Sequence, residues 1–190
     1  MNRERKIEEA IIADTGALGF PNALVIRNVR VSPDTGRVDL MLLPTKGPKQ
    51  LVLLEAKHAA SSDSASKVIG QLLMYWAGAL QISHGGLARI RRFAKLDPEL
   101  ARSPAKKSIV RVAGVRPTER AWALLRSGRA ISPDRIALYV AFNSKPAPSL
   151  GNALDMLRSH YGLDIRVVVA NSRGVLVSDA PLPPTLRPHP

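Results

Sequence analysis

Apolar residues recur along the chain with two different periods, and the changes of period mark the elements. Over residues 3–14, Ile7, Ala10 and Ile11 fall at spacings of three and four, which predicts a helix. Glu4, Glu8 and Glu9 sit early in it, where the helix dipole favours anions. Gly16, Gly19 and Pro21 then break the pattern. Three strands are predicted next, over residues 23–31, 37–43 and 50–57. Ser32-Pro33-Asp34-Thr35-Gly36 and Pro44-Thr45-Lys46-Gly47-Pro48 separate them, each combining a φ-setting proline with a permissive glycine. The third strand holds the run LVLLEAK, apolar on both faces until its last residues, as expected of a central strand covered on both sides.

Residues 64–81 predict a second helix, with Ile69, Leu72, Leu73, Trp76 and Leu80 as its apolar stripe and His84-Gly85-Gly86 after its end. Further on, residues 135–142 read as a core strand, 150–161 as a helix, 165–170 as a short buried strand and 175–177 as a last one. Helix, three strands, helix, strand, helix, strand is the order of an α/β domain built around a mixed sheet. A chain of 190 residues fits one domain, taken as residues 1–180, with a core large enough to stand without staples. Residues 181–190 hold five prolines and read as an extended tail.

Charge changes the picture in one region. Residues 87–129 carry twelve Lys or Arg (Arg89, Arg91, Arg92, Lys95, Arg102, Lys106, Lys107, Arg111, Arg116, Arg120, Arg126 and Arg129) against Asp97, Glu99 and Glu119. Within this basic insertion or subdomain, residues 108–115 predict a strand and residues 118–126 a helix capped by Thr118. The whole chain has 28 Lys and Arg against 15 Asp and Glu, a net charge of +13. Such a charge repels itself unless a polyanion neutralises it, and nucleic acid is the commonest one. Arg89, Arg91, Arg92, Lys106 and Lys107 are the candidate phosphate contacts. Aromatic residues are only 4%, too few for a long base-stacking platform, so contact with the backbone is the expected mode.

There is no cysteine, which excludes disulfides, thiolate catalysis and Cys-ligated zinc. His58, His84, His160 and His189 are scattered without zinc-site spacing, and His58 reads as a solvated side chain. No stretch approaches a membrane span, and residues 1–9 are charged with both signs. A soluble cytoplasmic protein is expected.

The chemistry concentrates in Asp39, Glu55 and Lys57. Alternation along a strand puts Glu55 and Lys57 on one face, at the carboxyl end of the most apolar strand. Asp39 lies inside another apolar run, Val38-Asp39-Leu40-Met41-Leu42. A hairpin between the two strands brings the two carboxylates together, where they repel and shift each other's pKa. A divalent cation resolves that conflict, and hard oxygen ligands suit Mg²⁺, with Mn²⁺ as a substitute. The bland alternatives are an edge-strand surface acid at Asp39 and a strand-end ion pair between Glu55 and Lys57.

Asp39, fifteen intervening residues, then Glu55-Ala56-Lys57 resembles the motif of the PD-(D/E)xK nuclease superfamily, the restriction endonucleases and their relatives. Val38 stands where that motif often has proline. The resemblance implies a restriction-endonuclease-like mixed sheet flanked by helices in the order α-β-β-β-α-β, with the basic segment as an insertion. It implies that Asp39, Glu55 and the Ala56 carbonyl hold Mg²⁺ and that Lys57 orients water or stabilises developing charge. Gln71 and Tyr75 stand four apart on one helix face and resemble the Gln-x-x-x-Tyr element of the RecB-like branch. There Gln71 would take part in catalysis and Tyr75 in holding nucleic acid. Glu8 or Glu9 resembles the further acidic residue of many members, with Glu8 preferred. The function implied is metal-dependent hydrolysis of phosphodiester bonds, most readily of DNA, by a chain that acts alone, as a homodimer or in a complex. The competing readings are a nuclease-fold protein that binds without cutting, and a basic assembly protein.

Overall fold

A computed structural model of the chain describes residues 3–31, 35–60, 64–80, 109–110 and 131–177. Helix α1 (Arg3–Ala13) leads into a 3-10 turn at Thr15–Leu18, which Asp14 caps by accepting the Ala17 N–H. Strands β1 (Leu24–Arg30), β2 (Arg37–Leu43) and β3 (Leu51–Lys57) form an antiparallel meander. Helix α2 (Ser64–Leu80) follows, and later β4 (Ile109–Val110) and β5 (Ile136–Phe142). Helix α3 (Pro148–Tyr161), β6 (Ile165–Asn171) and β7 (Gly174–Val177) complete the described elements. The predicted elements outside the basic segment recur with ends moved by at most two residues. Of that segment only Ile109–Val110 is described, inside the strand expected over 108–115. The helix expected over 118–126 and the tail at 181–190 lie outside the described residues.

The sheet is open and mixed, in the order β4-β1-β2-β3-β5-β6-β7. β3 is its pivot, antiparallel to β2 on one side and parallel to β5 on the other. β5 and β6 are also parallel, and β7 returns antiparallel along β6. The double-sided apolar run of β3 therefore has its cause in cover on both faces. Leu51 and Leu53 join the core beneath α2 and α3, which also takes in Val68, Leu72, Leu150 and Leu154. Val52, Leu54 and Ala56 join the core beneath α1, with Ile7 and Ile11. No helix among the described residues is long and apolar enough to cross a membrane.

Strands β1 and β2 share one irregularity. Leu24 and Ile26 face the α2 side, and so do Val29 and Val31, so the alternation along β1 slips by one residue between them. Asn28, at that slip, takes a left-handed φ of 49°, a conformation Asn tolerates better than most residues. β2 slips as well: Val38 faces the α2 side, and so do Met41 and Leu43. The register that pairs Arg27 with Leu40 and Val29 with Val38 puts the two slips side by side, at Asn28 and Asp39.

At the other sheet neighbour of β3, the strand exits are tied together. Asn143 accepts the Ala59 N–H at 2.9 Å, and its carbonyl accepts from Asn171 Nδ2 at 3.2 Å. The exits of β3, β5 and β6 are thus fixed relative to one another by one asparagine.

The two-sided role of β3 predicts a contrast in stability. Leu53→Ala, a wholly buried truncation, costs about 2–5 kcal/mol. Leu176→Ala on exposed β7 changes stability by less than about 0.5 kcal/mol. Urea denaturation measures both, and equal effects would contradict the placement of β3 at the centre.

Candidate active site at the splayed end of β2 and β3

The described β2–β3 pairing runs from Leu42↔Val52 to Leu40↔Leu54. One step further, where both slips fall, Asp39 supplies a side chain to the ladder. Its Oδ2 accepts the Ala56 N–H at 2.8 Å. The backbone donor of β3 is therefore satisfied by a carboxylate, and Asp39 is anchored beside Glu55.

Glu55 is 1% exposed, one of very few buried ionisable side chains among the described residues. Its Oε1 lies 2.8 Å from Lys57 Nζ. Its Oε2 is buried and has no hydrogen-bond partner. An acceptor left bare in this way is costly unless a cation or donor fills the place. Burial raises the Glu55 pKa, the Asp39 charge adds to the rise, and Lys57 offsets only part of it, leaving it at about 7. Asp39 is raised too, first by burial, against the opposing Ala56 N–H and Lys57. Burial by itself would lower Lys57, but its hydrogen bond to Glu55 and the charges of Glu55, Asp39 and Glu4 outweigh it and raise its pKa. Lys57 therefore stays an ammonium.

The donor set suits a hard divalent cation. Two carboxylates stand together, one with a buried bare oxygen, next to the backbone of Ala56. No group of three His, Cys, Asp or Glu side chains converges among the described residues. That pattern fits Mg²⁺, which keeps several waters and needs only one or two carboxylates.

The acids of α1 divide by helical phase. Glu9 is exposed and pairs with Arg5 at 2.9 Å along the helix. Glu8 turns towards the sheet, where its Oε2 accepts from Arg27 Nε at 2.9 Å. Burial raises the Glu8 pKa against the pull of Arg27, and the Asp39 charge adds to the rise. Glu4, one turn earlier, comes within 3.8 Å of Lys57 Nζ. Sequence reasoning passed over Glu4 as a site residue. The i, i+4 spacing of Glu4 and Glu8 was visible, but nothing in the pattern said which turn of α1 lies over the end of β3.

Gln71 and Tyr75 also come to this end. Tyr75 is 2% exposed, and its hydroxyl donates to the Arg37 carbonyl at 2.8 Å. A Cβ on Gly36 would stand 3.4 Å from that hydroxyl, so the start of β2 lies directly against the ring. Burial raises the tyrosine pKa, and the Glu55 and Asp39 charges raise it further, so the phenol stays protonated. Tyr75 acts here from within the core, by holding the first residues of β2. Gln71 Nε2 approaches the Tyr75 hydroxyl at 3.5 Å, while its Oε1 is a second buried oxygen without a partner. His58 is half-buried, and its Nδ1 accepts from the Ala60 N–H at 3.4 Å. Arg89, Arg91, Arg92, Lys106 and Lys107 lie outside the described residues.

A pH dependence follows from the raised Glu55. In the unfolded chain this carboxyl ionises near its ordinary value of 4.5, but in the fold it keeps its proton to about 7. The folded state binds more protons in that window, so stability falls as pH rises through it and levels off above. In EDTA, Glu55→Gln is expected to flatten this fall and to exceed the parent in stability at pH 8 by roughly 1–3 kcal/mol. Urea denaturation at pH 5 and pH 8 checks it, and a parent stability that climbs with pH would refute it.

Comparisons with protein-family models, curated proteins and solved structures find no match to this chain.

Proposed function

We propose that this protein is a metal-dependent nuclease that hydrolyses phosphodiester bonds, DNA being the favoured substrate. The observation that carries this reading is the convergence of Asp39, Glu55 and Lys57, with a bare buried carboxylate oxygen among them. Two carboxylates forced together out of water gain little as structural elements, since burial raises the pKa of both and the Asp39 charge raises that of Glu55 further. Their resemblance to the Asp…Glu-x-Lys pattern supports the same reading.

Asp39, Glu55 and the Ala56 carbonyl would hold Mg²⁺. When bound, such an ion lowers the pKa of water and neutralises charge on a phosphate oxygen. Asp39 keeps its orientation through the Ala56 N–H. Lys57, a permanent ammonium, is placed to hold the attacking water or the developing charge on the phosphate. Glu4 limits the wandering of Lys57 from the α1 side. Tyr75 fixes the entry to β2 through the Arg37 carbonyl, and so the position of Asp39 two residues later. Gln71 offers an unpartnered oxygen to a water or to a substrate hydroxyl.

The 2.8 Å contact of Lys57 with Glu55 is the observation that favours a second reading, a nuclease-like fold that only binds nucleic acid. In that case the pair is a strand-end ion pair and nothing more.

Cleavage separates the two. Labelled single-stranded, double-stranded and branched DNA, and RNA, are incubated with the protein in Mg²⁺, Mn²⁺ or EDTA. Cutting is expected with metal alone, to be abolished in Asp39→Ala and Glu55→Ala, and to slow roughly 10²–10³-fold in Lys57→Ala. Millimolar Mn²⁺ should raise the melting temperature of the parent and leave that of Asp39→Ala unchanged. Intact substrates in every arm, with a melting temperature blind to metal, would favour the binding-only reading.

A further inference from the structure

Parallel pairing puts Lys57, Phe142 and Val169 at one level, so the exits of β3, β5 and β6 lie together at one end of the sheet. β2 runs the other way and starts at that end with Arg37. The described parts of the connections there, residues 35–36, 58–60, 143–147 and 171–174, contain His58, Lys145 and Arg173 and no Asp or Glu, while Asp34 and Asp63 fall in the stretches 32–34 and 61–63 outside the described residues. The opposite end is mixed: its connections hold Lys46, Lys49 and Arg135, but also Asp134 and Asp164, and Asp164 is paired with Arg158 and Arg166.

One cation therefore stands at this end on each of four neighbouring strands: Arg37 on β2, Lys57 on β3, Lys145 after β5 and Arg173 after β6. Arg37, Lys145 and Arg173 are exposed, and none has a carboxylate partner among the described residues. Two of the three positions are held. Arg37 Nη1 donates to the Asn28 carbonyl at 3.1 Å, and the Arg173 N–H donates to Asn171 Oδ1 at 2.9 Å. Asn171 is in turn tied to Asn143, which is tied to Ala59 just beyond Lys57. Neighbouring strands lie about 4.8 Å apart, so the row spans roughly 15 Å. At about 3.4 Å of rise per phosphate on one strand, that length matches roughly four nucleotides.

We propose that the row Arg37–Lys57–Lys145–Arg173 is a phosphodiester-backbone track laid across the strand ends, leading a nucleic acid strand over Asp39 and Glu55. The track rests on the proposed nuclease reading for its direction through the site. Its affinity for phosphates rests on the charges alone. None of its residues belongs to the basic segment at 87–129 of the sequence.

Binding in EDTA tests the track without cleavage. Fluorescence anisotropy follows the full chain with labelled single-stranded DNA, duplex DNA and RNA of mixed sequence over a salt series. Arg37→Ala, Lys145→Ala and Arg173→Ala are each expected to flatten the duplex log–log salt slope by about 0.9 and to weaken binding roughly eight-fold at 0.1 M salt. Lys46→Ala and Arg135→Ala, exposed at the opposite end, should match the parent. The arm that shows the loss identifies which backbone the track takes. Parent-like affinity and slope in all three row variants would overturn the proposal and leave binding to residues 87–129. Equal losses at both ends of the sheet, or no binding in any arm, would overturn it too. Since no metal is present, a chain that cleaves nothing can still show the row's contribution, so the two readings fail separately.

Discussion

Two carboxylates are taken out of water at the point where β2 and β3 part, and much of this end of the molecule is arranged around that cost. Asp39 is held there by a backbone N–H, so its charge is stabilised and its position fixed at once. Glu55 has Lys57 on one oxygen and nothing on the other. A structure selected for stability alone would replace such a pair with apolar side chains. Its presence in an otherwise apolar strand is what marks this end of the sheet as the candidate site.

The rest of the fold makes that end rigid. β3 is covered on both faces and bonded on both edges, so its last residues start from the best-ordered part of the sheet. The slips at Asn28 and Asp39 alter the phase of β1 and β2 together, which keeps their ladder intact while Asp39 reaches across to β3. Tyr75 ties α2 to the first residue of β2, and Asn143 ties the exits of three strands. Mixed polarity makes the geometry possible. Because β2 is antiparallel and β5 and β6 are parallel to β3, one strand start and three strand exits meet at the same edge. The described parts of their connections hold no acid, and Arg37, Lys145 and Arg173 have no carboxylate partner among the described residues.

Much of this was legible in the chain. Periodicity located α1, α2, α3 and the strands, because each buries one stripe or both faces against neighbours and its apolar spacing records that. The pair Glu55 and Lys57 stood out because charge at the end of a doubly apolar run requires an explanation. The spacing of Asp39 suggested a partner across a hairpin, and the register puts it there. The choice among Glu4, Glu8 and Glu9 was not legible. All three fit the first turns of one helix, and a rotation of α1 by one residue, or a shift by one turn, exchanges their roles. Tyr75 was similar. Its spacing from Gln71 gave a shared face, but only the packing of α2 showed that face turned inward against Gly36 and Arg37.

Local pattern by itself determined the elements, their order and the residue types brought to the site, since these depend on neighbours a few positions away along the chain. Tertiary structure decided what depends on distant segments meeting. It chose Arg27 as the partner of Glu8, left Glu55 Oε2 bare, and lined up Arg37, Lys145 and Arg173 beside Lys57. These cations are separated by up to 136 positions in sequence and belong to no motif. Only the parallel and antiparallel register of the sheet brings them to one end, because hydrogen bonding between strands, not adjacency in the chain, sets which residues share a level.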